Sequence, residues 1–147
     1  MLKLDKPVSH LKAHVRPYGS GPRKAHFIHC NLSTGRAWEP LAQHLDADLA
    51  ISAVDMLGQG RSPMPDRSRD YQLQCAEASI AAMENSVSGP QDLVGHSFGG
   101  CIALRIVTLR PDLVRSLVLF EPVFFGFLQD AGSLFGTFQL DATLTGR

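Results

Sequence analysis

A chain of 147 residues with formal net charge zero and 44% hydrophobic residues has the make-up of one soluble globular domain and not of a disordered tail. The balanced charge lacks the electrostatic footprint of a nucleic-acid binder, and no stretch is apolar for long enough to span a bilayer. Three widely spaced cysteines, Cys30, Cys75 and Cys101, suit neither a disulfide framework nor a metal knuckle, and read as free thiols.

Residues 1–10 are too polar for the apolar core of a secretory signal, so a cytoplasmic protein is expected. Residues 11–16 fit a short strand, closed by the turn signal Tyr18-Gly-Ser-Gly-Pro22. The largely apolar run 25–29 suits a central strand, and Cys30 to Gly35 is the loop that leaves it. Trp38, Leu41, Ala42 and Leu45 recur at helical spacing, with Pro40 tolerated only in the first turn. Another strand is predicted over 49–54. It runs into Asp55-Met-Leu-Gly58-Gln-Gly60-Arg-Ser62, a turn whose glycines can take positive φ. The polar, proline-bearing segment 62–70 reads as an exposed connection. A second amphipathic helix then carries Leu73, Ala76, Ile80, Met83 and Val87, and Gly89-Pro90 ends it.

The next stretch, Asp92-Leu-Val-Gly95-His96-Ser97-Phe98-Gly99-Gly100, reads as a buried strand that turns abruptly, presents a serine and becomes a helix. Gly95 and Gly99 flank Ser97 at two places on either side, where a strand and a helix crossing closely leave no room for a Cβ. Such an elbow lifts a serine oxygen out of the sheet. It also aims the next backbone N–H, that of Phe98, at the place where a carbonyl oxygen would gain negative charge, which is the geometry of acyl transfer. The apolar run 101–109 supplies the helix and Pro111 stops it. Residues 116–120 form a further buried-strand run that ends in Glu121-Pro122.

Strands alternating with helices predict an α/β fold: a mostly parallel sheet with helices on both faces, its ligand edge at the carboxyl ends of the strands. That edge gathers His29 to Asn31, Asp55 to Gly60, Ser97 and Glu121. A single domain over 1–147 is expected, with the aromatic-rich residues 123–147 as the start of a segment that shields a pocket.

On these motifs the sequence resembles the α/β-hydrolase superfamily from about residue 15 to residue 125. His29-Cys30-Asn31 followed by Trp38 looks like its oxyanion loop, Asp55 to Ser62 like its D-x-x-G-x-G-x-S turn, and Gly95 to Gly99 is its nucleophile elbow. The resemblance implies Ser97 as nucleophile and the backbone N–H groups of Phe98 and Asn31 as oxyanion donors. His29, Cys30, Leu32 and His96 become the positions that contact substrate, a small acyl compound. His29 and His96 are expected to act mainly by holding structure, as are Asp55 and the Gly58/Gly60 turn. Cys30 stands where the family has glycine, which implies a wider loop or a negative φ there. No cofactor or metal is implied.

Serine is a poor nucleophile without a positioned base, and the superfamily orders its triad as serine, acid, histidine. All six histidines lie at or before position 96, so the base is missing; Glu121 ends the right strand to be a candidate acid in a minority arrangement, or it lines the pocket wall. The expectation is an incomplete fold, the N-terminal part of a longer hydrolase or a truncated product. Its run 116–120 would be an unpaired apolar edge open to self-association or to another chain. Three functions remain: a serine hydrolase acting through an acyl-serine, a catalytically silent fragment that binds a ligand or partner chain, or a cofactor-free perhydrolase or haloperoxidase, which would need the same triad.

Overall fold

The computed structural model describes residues 11–86 and 89–123. Five strands form one sheet in the order β1-β3-β2-β4-β5, with β1 at Val15–Tyr18, β2 at Arg23–Ile28, β3 at Leu49–Val54, β4 at Gln91–His96 and β5 at Val114–Phe120. All neighbours pair in parallel except β1, which runs antiparallel to β3 and forms one edge. The strand predicted over 11–16 thus starts later, at Val15, and the others fall where the apolar runs place them.

Helices α2 (Tyr71–Ser86) and α3 (Phe98–Leu109) cover one face of the sheet. Ile28, Val54 and Leu93 from the strands pack there against Ile80, Met83, Ile102 and Ile106. The other face carries α1 (Glu39–Leu45), entered through a 3-10 turn at Gly35–Trp38, with Ala42 packed on Ala25, Phe27, Ile51 and Ala53. Pro40 sits in the first turn of α1, where its missing N–H costs no hydrogen bond. Leu41, placed on the apolar stripe by spacing, is instead exposed, because so short a helix buries little more than Ala42.

Two polar clusters fix the frame. At the amino end of β4 the Asp92 carboxylate accepts from Arg115 Nε at 2.9 Å and Nη2 at 2.7 Å, from Ser116 Oγ at 2.7 Å and from Arg23 Nη2 at 2.8 Å. The Arg115 guanidinium foremost, with Ser116 and Arg23, outweighs burial and holds this carboxyl well below the usual carboxylate range. The connection 62–70 is mostly exposed, as expected, but two buried polar residues of α2 pin it. Gln74 Nε2 donates to Asp66 O at 2.8 Å, and the Glu77 carboxylate takes two 3.0 Å bonds from Arg69 Nη2. No helix among the described residues is long and apolar enough to cross a membrane.

Candidate active site

Ser97 stands between the last residue of β4 and the first of α3, with φ 53° and ψ −116°. A side chain in that region costs about 1–3 kcal/mol and persists only where surrounding bonds over-determine it. Those bonds are present: Ser97 N–H donates to Phe120 O at 2.9 Å, and Ser97 O accepts from Gly100 N–H at 2.9 Å and Val123 N–H at 3.3 Å. The two flanking glycines answer to different neighbours. A Cβ on Gly95 would lie 2.5 Å from Gly99 O and 2.7 Å from Gly100 Cα, which is the crossing of strand and helix. A Cβ on Gly99 would run into His29 O and lie 2.5 Å from Ile28 O, so this glycine lets the helix start abut the end of β2.

Phe98 opens α3, where a backbone N–H has no acceptor within the helix. Ser97 is half-buried, and among the described residues no group hydrogen-bonds to its hydroxyl.

The loop after β2 lies beside this turn. His29 is buried and both its ring nitrogens are engaged: Nδ1 donates to Cys30 O at 2.7 Å and Nε2 accepts Met56 N–H at 2.9 Å. Burial lowers its pKa, so the ring is neutral and ties the ends of β2 and β3 together. Cys30 keeps a negative φ; the left-handed residue is Leu32, at φ 57°, with a side chain 92% exposed at the loop tip. His96 packs its ring between Trp38, at 6.3 Å between centroids, and Phe120, at 5.1 Å. Glu121, at φ 44°, turns the chain just after β5; its carboxylate is exposed and makes no hydrogen bond or ion pair among the described residues. The segment expected to shield the pocket falls, beyond Val123, outside the described residues.

Asp55 follows β3 directly, its carboxylate fully buried. One oxygen accepts from Gly35 N–H at 2.7 Å and Arg16 Nε at 3.2 Å, the other from Arg61 N–H at 2.9 Å and Arg16 Nη2 at 3.0 Å. Burial alone would raise its pKa, but the bonds from Arg61, Arg16 and Gly35 outweigh it and hold it low. Gly58 and Gly60 take φ of 74° and 56°, as the turn motif requires.

Sequence reasoning passed over Gln59. Its Oε1 accepts Ser33 N–H at 3.2 Å, and its Nε2 donates to Asn31 Oδ1 at 2.8 Å and Tyr71 Oη at 3.0 Å. The signal was a long polar amide between two turn glycines, which suits neither a core nor a bare turn. The edge therefore brings Ser97, Phe98, Asn31, His29, Cys30, His96 and Glu121 to one end of the sheet, and brings no histidine onto the serine: His14, His26, His29, His44 and His96 make no hydrogen bond to it.

A family model described as the alpha/beta hydrolase fold matches residues 27–143. The chain belongs to the α/β-hydrolase family. Lipase LipV of Mycobacterium tuberculosis is 41% identical over 111 residues, covering 74% of this chain and 41% of the lipase. A pimeloyl-[acyl-carrier protein] methyl ester esterase of Neisseria meningitidis is 32% identical over 97 residues, 66% of this chain and 29% of the esterase. The solved E-2-(acetamidomethylene)succinate hydrolase matches with a TM-score of 0.66 and 32% identity, over 74% of this chain and 40% of that one. This α/β-hydrolase chain thus spans less than half the length of each of these relatives.

Proposed function

We propose that this chain carries the nucleophile half of a serine hydrolase that acts on a small ester, thioester or related acyl compound. The observation that carries the reading is Ser97 in a strained strand-to-helix turn, its hydroxyl unbonded among the described residues and the Phe98 amide beside it. Esterase and lipase relatives support the acyl class.

In this reading Ser97 Oγ attacks the carbonyl carbon. An O–C bond forms while the carbonyl π pair moves to oxygen, where the N–H groups of Phe98 and Asn31 stabilise it. The hydroxyl proton passes to water. Collapse of the intermediate breaks the bond to the alkoxide or thiolate, which takes up a proton, and leaves acyl-Ser97; water then adds and releases the acid. Without a triad histidine the rate sits several orders of magnitude below that of a complete triad. The test is a p-nitrophenyl acetate assay with mass spectrometry: one p-nitrophenolate per chain and an acetyl group on Ser97 support it. An acetyl group confined to lysines or cysteines would reject it.

A second reading has one observation in its favour: among the described residues no histidine is bonded to Ser97. There the chain is silent and binds an acyl ligand only, and Ser97→Ala leaves that binding unchanged.

A further inference from the structure

The amides that the proposed function uses come from two separate elements, the loop after β2 and the start of α3, and an oxyanion gains from them only if their spacing is fixed before reaction. β2 and β4 pair as far as Ile28 and Gly95, but among the described residues no backbone hydrogen bond joins the loop itself to the start of α3. Asn31 and Leu32 are exposed, and Leu32 is in the left-handed region.

One side-chain path joins them. Gln59, from the turn after β3, grips the loop twice: its carbonyl takes Ser33 N–H and its amide donates to Asn31 Oδ1. The same amide nitrogen donates to Tyr71 Oη at 3.0 Å, and that hydroxyl donates onward to Leu57 O at 2.8 Å. Tyr71 is the first residue of α2, and its ring stacks on Phe98 at 5.9 Å with an interplanar angle of 23°. Every polar atom of Gln59 and Tyr71 thus has a partner, so neither side chain is free to swing.

We infer that Gln59 and Tyr71 are positioning residues for acyl transfer: they couple the loop that bears the Asn31 amide to the residue that bears the Phe98 amide. The inference rests on the proposed function and adds to it the residues that set the oxyanion geometry. Neither touches the reacting atoms. Gln59 sets the loop, Tyr71 sets Gln59 and Phe98 together, and losing either widens the distribution of distances between the two donors. Removing one oxyanion donor outright costs about 10²–10³ in rate, so loosening one is expected to cost about tenfold.

The experiment measures labelling of Ser97 in the full chain by an alkyl fluorophosphonate over a range of probe concentrations. In that reaction an Oγ–P bond forms, the P–F bond breaks, fluoride leaves and the hydroxyl proton goes to water, with negative charge building on the phosphoryl oxygen. Gln59→Leu is expected to lower the limiting rate constant about tenfold and leave the half-saturating concentration within twofold. Gln59→Glu keeps the acceptor for Ser33 N–H; with Asn31 turned over to donate its amide and the Tyr71 hydroxyl proton turned from Leu57 O to the new carboxylate, both links re-form and it recovers most of the rate. Tyr71→Phe keeps the stack and loses both hydrogen bonds, with an intermediate effect; should Gln59→Leu fail to fold, the other two variants decide. A wild-type chain that does not label at Ser97 sinks the functional reading and this inference with it. A wild type that labels beside Gln59→Leu at an unchanged limiting rate, or a Gln59→Glu no better than Gln59→Leu, overturns this inference alone.

Discussion

Replacing Asp55 by Asn changes one oxygen of a fully buried carboxylate into NH2 and leaves its shape alone. Each carboxylate oxygen accepts one backbone N–H and one Arg16 N–H, from Gly35 and Nε on one side and Arg61 and Nη2 on the other. Whichever way the new amide turns, its NH2 therefore faces two donors. Arg16, with a side chain 19% exposed, also loses its charge partner. Hydrogen bonds to a charged group contribute about 1.5–3 kcal/mol each, and breaking a buried pair by removing one partner costs about 3–5 kcal/mol. We expect a loss of about 3–5 kcal/mol at pH 7, a large part of the 5–15 kcal/mol that holds an ordinary domain. Urea unfolding followed by circular dichroism measures it. The sign with pH is fixed by the direction of the shift. The folded carboxyl titrates below its ordinary 3.8, so its contribution is complete above that pH and disappears as pH falls through the folded value. The gap between wild type and Asp55→Asn should accordingly narrow on acidification below pH 3.8. A loss under about 1 kcal/mol, or a gap that widens in acid, would show that this carboxylate does not hold the frame.

His26, buried with both ring nitrogens unpartnered among the described residues, has its pKa pushed down to about 4 by desolvation. The unfolded chain takes up a proton near pH 6.5 and the folded one does not, so stability should fall by roughly 3 kcal/mol between pH 6.5 and 4, and His26→Leu should flatten that slope in urea midpoints. Gly99→Ala drives a Cβ into the carbonyls that end β2, and labelling of Ser97 by a fluorophosphonate should drop at least tenfold. Glu121→Gln, at an exposed carboxylate without a partner among the described residues, should change that labelling less than twofold. The β5 edge exposes Val118 by 52% and Phe120 by 57%, whereas β1 carries Pro17; Val118→Lys should shift sedimentation toward monomer if copies pair through β5.

The sheet and the elbow were legible because period and punctuation are local: apolar runs bounded by turn residues place β2 to β5, and the glycines around Ser97 announce close backbone approaches, of Gly95 to the helix and of Gly99 to the end of β2. What stayed hidden depends on which polar groups meet in space. Gln74 and Glu77 sit at helical spacing that reads as a solvated face, yet both are buried because the chain over 62–70 folds back to satisfy them. Asp92 reads as a strand residue, and only the register of β4 with β5 brings Arg115 and Ser116 onto it. Gln59 was hidden for the same reason, since its partners lie 28 residues before it and 12 after. Cys30 takes the negative φ expected of a residue standing in for glycine, and the left-handed φ of this loop falls on Leu32, two residues further on.

Incubating the folded chain with a fluorophosphonate and mapping the adduct by peptide mass spectrometry shows whether Ser97 is a competent nucleophile. One phosphonyl group is expected, carried by Ser97 and absent from Ser97→Ala, and added slowly if no histidine assists the serine. A folded chain that stays unmodified at Ser97, or takes the group equally with alanine there, would contradict a nucleophilic Ser97.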